Sequence, residues 1–507
     1  MGIFTKIADK FRNAAPDYDA AGLGRRGKLW TPSSAGPNAV LTGNLDLMRS
    51  RARAEMRNNP YAYSGKASLV SNIVGTGIKP LFTTPDAGFN REAGQLWDDW
   101  VAESDADGLL DYYGQQALTV GAMIESGEAF VRLRTRRPVD GLAVPLQIQV
   151  LEADYCPTGK HDMVPGGGII RNGIEFNAIG QRAAYWMYRA HPNDRTGLEA
   201  SDLTESRVPA AEVAHVFDAV FRRPGLIRGE PWLVRALVKL QTLHQYDAAE
   251  LERKKMAAMF AGFIRRPMPD GLSAEDLVEM WGDDASIDGG AGMVGLESGT
   301  MQVLAAGEEI EFSQPADVGG SYEPFLRSQL RAISVAMGVL YEQLTGDYSQ
   351  INDRTYRAAV NEFRRQVGMY QHSVVAQMLC RPVHRRWVDL AVLSGALKPP
   401  RSLQGRDLYR VKWVPQGFSY IHPVQEVQAA KEAVRNGFKS RDEVIAEMGY
   451  DAEAIDAEIA RGNARADAAG LVFDSDPRHD KAAALAAAAQ PTDDADETDE
   501  TEGVSDE

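Results

Sequence analysis

A few residue sets in this chain have the types and spacing for chemistry. Cys380 and His384 stand four apart, the spacing at which one helix face can present two metal ligands. Two ligands do not complete a site, and Pro382 lies between them. Cys156 and His161 are near neighbours with no evident third partner. Asp98-Asp99 and Asp283-Asp284 are carboxylate pairs of the kind a two-metal nuclease uses. Adjacent residues point apart on a helix, so surface charge is the plainer reading. The run from Asp288 to Gly295 is glycine-rich but lacks the lysine of a phosphate loop, which makes it a plain flexible segment. Neither a G-x-x-x-x-G-K-[ST] motif, an H-E-x-x-H pair nor a G-x-S-x-G elbow is present. The residues therefore assign no catalytic group, no metal ligand and no cofactor.

Composition narrows the class further. The chain has 507 residues, 25% charged and 44% hydrophobic, with two cysteines and a formal charge of −16. That is enough chain for about three domains and excludes a disulfide-stapled or wholly disordered protein. No apolar run approaches the ~18 residues of a membrane-spanning helix. The N-terminus has no secretory signal, so the expectation is assembly in the cytoplasm. Residues 471–507 hold 12 acidic and 2 basic side chains, whereas residues 1–57 hold 5 acidic and 10 basic. A basic front on a mildly acidic body argues against a protein that grips nucleic acid over a wide basic face.

The periodicity predicts how the elements are arranged. Residues 3–12 form a short basic amphipathic stripe, suited to docking on a partner or on the chain's own fold or, alternatively, to lying on a membrane surface. Residues 14–43 read as an extended arm. Residues 44–74 are helical, with Arg49, Arg51, Arg53 and Arg57 expected on a solvated face or, alternatively, against DNA. A helical pattern over 92–126 gives way to a β-rich block over about 127–220, with hairpins at 129–150 and at Asn172-Gly173. Helix resumes at Pro231 and runs to about 262. A mixed segment to 312 precedes a helix from about Tyr322 to Leu344. The polar segment Gly346–Asp353 follows. Then Tyr356, Val360, Phe363, Val367, Tyr370, Val374 and Met378 make a near-heptad seam, either a core helix or a self-associating one, kinked or broken at Pro382. Residues 408–414 read as a strand. Pro423–Gly437, Ser440–Gly449 and Asp451–Gly470 are punctuated as helices, with Ser440 and Glu443 placed for a capping box. The acidic end is expected to stay disordered.

The order of several motifs resembles the lambda-like family of bacteriophage portal proteins. They are Trp30-Thr-Pro-Ser-Ser-Ala-Gly-Pro-Asn38, Arg57-Asn-Asn-Pro-Tyr-Ala62, Asn72-Ile-Val-Gly-Thr-Gly-Ile78, His215-Val-Phe217 and Arg223-Pro-Gly-Leu-Ile-Arg-Gly-Glu-Pro-Trp232. Leu304 to Phe312, Met337-Gly338, Leu344-Thr-Gly-Asp-Tyr-Ser349 and His422-Pro423 continue the series. The similarity spans roughly residues 20–465. One departure is Asp353-Arg354-Thr355-Tyr356-Arg357, where the family usually has a small Ser-rich stretch before an arginine.

The resemblance implies an α+β, predominantly helical, ring-forming portal fold. It divides the chain into an N-terminal arm (1–43), a wing (44–229), a first stem helix (230–262), a clip (263–320) and a second stem helix (321–344). A tunnel loop (345–355), a long kinked helix (356–394), a wing return strand (395–421), crown helices (422–470) and the acidic tail (471–507) follow. The implied ring, usually of twelve copies, sits at one capsid vertex of the virion. Its implied partners are double-stranded DNA passing through the channel, the terminase large subunit, the major capsid or scaffold protein, and the head–tail connector proteins, with no membrane. The DNA-facing residues would be Gly346, Asp347, Tyr348, Ser349, Gln350, Asn352, Asp353 and Arg354. The alternatives are a metal-dependent nuclease of phage DNA metabolism, and a peripheral scaffold protein.

Overall fold

The structure is a computed structural model that describes residues 32–194, 203–258, 262–265, 309–312, 322–418, 422–471 and 473. The amphipathic stripe at 3–12, most of the 14–43 arm, most of the 263–320 segment with Asp283-Asp284 and the glycine-rich run, and the acidic tail lie outside them. The chain divides into two compact units, one of residues 1–78 and 84–410, the other of residues 79–83 and 411–507.

In the first unit the β-rich block is two antiparallel sheets. Glu128–Thr135 is the centre of a three-stranded sheet, between Leu146–Glu152 and Val213–Phe217. Five short strands form a meander in chain order: Asp162–Val164, Gly168–Arg171, Ile174–Phe176, Arg182–Met187 and Ser206–Pro209. The Asn172-Gly173 turn is the predicted hairpin: both residues take positive φ, 50° and 77°, as a type I′ turn demands. Phe130, Leu151, Ile174, Tyr185, Met187 and Val208 close a core between the sheets.

Helices cover the rest of this unit. The 44–74 pattern is two helices, Leu45–Asn58 and Pro60–Ile73, divided at Asn59, whose side chain accepts from the Tyr61 and Ala62 amides. The 92–126 pattern is likewise two helices, Ala87–Val101 and Tyr112–Ser126, capped by Asp86 and Asp111. Trp97, Trp100, Tyr112 and Trp387 pack as an aromatic cluster with ring centroids 4.9–5.4 Å apart. His384 is buried beside Trp97, and among the described residues neither it nor Cys380 belongs to a group of three ligand-bearing side chains. The helix after Pro231 opens as a 3-10 turn, Trp232–Arg235, and becomes α-helical over Leu237–Ala258. It does not reach 262, because Gly262–Arg265 is a strand paired antiparallel with Glu309–Phe312.

Two further expectations are corrected. The 322–344 helix is broken: Tyr322–Met337 ends at Gly338, whose φ of 73° turns the chain before a short helix, Tyr341–Thr345. The long helix is not broken at Pro382. It runs as α-helix over Asp353–Tyr370, as π-helix over Gln371–Cys380, and as α-helix again over Arg381–Ser394. The Arg381 amide bonds five residues back to the Ala376 carbonyl, so the wider ladder changes register just before the proline that cannot donate. The heptad seam is buried within the chain from Val360 through Val374, with Tyr356 only partly covered; beyond it the buried set shifts to Val375, Ala376, Leu379 and Cys380 as the wider turn rotates the face. The seam is therefore core, and no longer speaks for self-association.

In the second unit Lys79–Phe82 pairs antiparallel with Val411–Val414, a shorter strand than the 408–414 pattern. Helices Pro423–Arg435, Arg441–Glu447 and Ala452–Ala469 follow the predicted punctuation. Ser440 accepts from the Glu443 amide, Asp451 from the Glu453 amide, and Gly437, Gly449 and Gly470 turn with positive φ. None of the three helices buries a residue, and Val424 and Phe438 are more than four-fifths exposed.

Candidate functional site

The polar segment between two apolar helices is a real loop, shorter than its sequence suggests. Helix Tyr341–Thr345 ends at Gly346, with φ 72°, and the next helix starts at Asp353. Asp353 and Arg354 therefore belong to the first helical turn, while Gly346, Asp347, Tyr348, Ser349, Gln350 and Asn352 form the loop. Its conformation is fixed by local bonds. Asp347 accepts from the Ser349 hydroxyl at 2.6 Å, the Ser349 amide at 3.1 Å and the Tyr341 hydroxyl at 3.2 Å. The Ser349 bonds hold its carboxyl below the usual aspartate range. Asn352 caps the next helix by accepting from the Thr355 amide at 2.9 Å. Tyr348 is half exposed, edge-on to Tyr356. Asp353 is paired one turn on with Arg357, at 3.7 Å.

The arginine cluster did not stay on a solvated face. Arg49 is buried and ion-paired with Glu128; Arg53 bonds Asp154 and lies 3.2 Å from Glu152. Only Arg51 and Arg57 are exposed. Around Glu128 is a polar junction that sequence reasoning missed. One carboxylate oxygen accepts from Arg49 and from Arg228 Nε at 2.7 Å; the other accepts from His215 Nε2 at 2.8 Å and the Gly229 amide at 2.9 Å. Arg228 also donates to the carbonyls of Asn172 and Cys156, at 2.6 and 3.1 Å. The backbones of Gly127 and Gly229 approach so closely that a Cβ on either would strike the other's main chain.

The electrostatics follow from that geometry. Burial pushes the Glu128 carboxyl up, but Arg228, Arg49 and His215 outweigh it and hold it well below the usual range. Arg182 approaches His215 Nδ1 at 2.5 Å and can only donate, so the ring proton sits on Nε2 and faces Glu128. Burial keeps that imidazole neutral, with its pKa pushed down to about 3. The junction thus joins a helix, two strands and the loop that leads into the Leu237 helix. The available signal was a glutamate opening an apolar strand straight after a glycine, and an arginine between apolar residues at 228.

Metal chemistry finds little support. Among the described residues, Glu152, Asp154 and His191 are one group of three with ligand atoms within 4.8 Å, and the Arg53 guanidinium already sits on both carboxylates. Asp98 and Asp99 are both exposed, as surface charge should be. No helix among the described residues is long and apolar enough to cross a membrane.

The family described as phage portal protein, lambda family, matches residues 23–371. The probable portal protein of Halomonas phage phiHAP-1 is 25% identical over 451 residues, covering 86% of this chain and 84% of that one. Portal protein B of Escherichia phage lambda is 24% identical over 493 residues, covering 90% of each. Among solved structures, the neck of an empty gene transfer agent particle aligns at TM-score 0.44 and 16% identity, over 79% of this chain and 92% of that one. A portal protein of the HK97 family from Corynebacterium diphtheriae aligns at TM-score 0.32 and 15% identity, over 66% and 90%. The molecule is a structural protein of a phage virion and not an enzyme. More narrowly, the chain belongs to the lambda family of phage portal proteins.

Proposed function

We propose that copies of this chain close into a ring of twelve at one capsid vertex, and that residues 346–354 border the DNA passing through it. Family membership across most of the folded chain carries the reading. In the proposed assembly, residues 1–229 and 395–421 form the wing, 230–262 and 321–344 the stem, 263–320 the clip and 422–470 the crown. The terminase large subunit and later the head–tail connector dock at the clip, and the capsid or scaffold protein meets the outer surface. The bare helices at 423–469 accord with a region completed by neighbouring copies.

The loop chemistry suits sliding. Asp347 stays ionised and Asp353 is neutralised by Arg357. A wall of this kind neutralises few phosphates, so little counterion release favours holding the DNA. The test is Asp347→Ala with Tyr348→Ala in the intact phage. Rings and empty capsids should form in normal number while packaged DNA falls. Normal packaging with failed assembly makes the loop a structural joint and overturns its placement beside DNA.

A further inference from the structure

The β-rich block carries a concavity that the portal reading does not use. The face of Glu128–Thr135 that buries Phe130 between the two sheets continues outward as Arg132 and then Arg134. Together with Arg189, and with Arg207 on the edge strand of the meander, they line a hollow of about 390 Å³ floored by Leu151 and Val208. Two residues apart on one strand face, the Arg132 and Arg134 guanidiniums start only ~7 Å apart.

Their counter-charges are few. Arg207 holds Glu175 through two bonds, at 2.8 and 2.9 Å. Among the described residues, Arg134 bonds only the neutral Gln149 oxygen, at 2.7 Å. Arg132 reaches Glu212 no closer than 3.8 Å, and its buried Nε has no hydrogen-bond partner. Arg189 is exposed and has no ion-pair partner among the described residues. Among the described residues, three guanidiniums thus face one loosely placed carboxylate. Burial and the neighbouring Arg134 push the Arg132 pKa down, as expected where a charge lacks its counter-ion.

We propose that this arginine-lined hollow between the two sheets binds an acidic polypeptide segment of a partner protein, whose carboxylates pair with Arg132, Arg134 and Arg189. Guanidiniums read carboxylates through paired parallel bonds. The apolar floor accommodates the aliphatic parts of an extended peptide. A DNA duplex is too wide and too stiff to enter a hollow of this size, so its phosphates could touch only the rim.

The test measures binding of a fluorescent Asp/Glu decapeptide to the full-length protein, with a 20-base-pair duplex and inorganic phosphate as competitors. A chain ending at Phe473 is measured alongside, so that the protein's own acidic end cannot mask the site. Arg132→Gln with Arg134→Gln should weaken peptide binding about tenfold or more, with Arg132→Lys and Arg134→Lys in between. An unchanged thermal midpoint shows that the variants fold; if the double variant does not, Arg189→Gln, on an exposed residue, takes its place. The proposal is overturned if neither length binds the peptide, if the variants bind it as well as the parent does, or if the duplex alone binds in an arginine-dependent way.

Discussion

The Glu128 junction and the 346–352 loop are both built from polar side chains, but their bonds run over different distances. Glu128 is fully buried and draws partners from positions 49, 215, 228 and 229, with Arg182 behind His215. The loop is exposed, and the hydrogen bonds of Asp347 and Asn352 stay within six residues, with Arg327, 4.0 Å from Asp347, as a more distant and looser ion-pair partner. A junction that gathers distant segments is a condition of folding. A loop whose hydrogen bonds are nearly all its own can change with little disturbance to its surroundings. In the proposed ring, that separation lets the loop vary on a fixed frame.

The largest expected effect is therefore at the junction. Glu128→Ala leaves Arg49 and Arg228 buried without their shared anion. Removing one partner of a buried pair costs about 3–5 kcal/mol. The denaturant midpoint should fall sharply, and an unchanged midpoint would break the comparison.

Acid probes the same frame. His215 and His384 are buried neutral, each with its pKa pushed down by burial to about 3 from the usual 6.5. Both folded values lie below the unfolded one, so the unfolded chain binds more protons between those limits. Stability is therefore complete above about pH 6.5 and falls as pH drops toward 3. Each histidine contributes a slope of about 1.4 kcal/mol per pH unit, or about 3 kcal/mol for the pair between pH 7.5 and 5.5. Denaturant titrations at those two pH values check it, and equal midpoints would show that the imidazoles are not held neutral.

Local signals carried far in the sequence, and long-range pairing did not. The Asn172-Gly173 hairpin, the Asp451 cap and the glycine helix ends need only neighbouring residues, and all stand where they were expected. Gly338 broke a helix that the apolar spacing of 322–344 favoured, because its left-handed backbone is invisible to periodicity. Pro382 misled in the opposite sense: ladder register is set by the ten π-helical residues before it. Arg49 and Arg53 looked like surface charge because their anions lie 79 and 101 positions along the chain. The loop at 346–352 was legible as an interruption between periodic helices. Its last two assigned residues, Asp353 and Arg354, were not, since Asn352 captures them into the helix.

The smallest effect belongs to that cap. Asn352→Ala removes the acceptor for the Thr355 amide, and loss of an N-cap costs about 1 kcal/mol. That bond is local, so the cost should be local too: amides at 353–356 should exchange with deuterium about fivefold faster. The global midpoint should move far less than in Glu128→Ala. Asn352→Asp, which keeps an acceptor at the same place and adds a charge favoured at a helix N-terminus, should restore the protection. If Asn352→Ala instead lowers the global midpoint as much as the junction variant does, the loop is part of the frame, and Asp347 could not be altered without altering the fold.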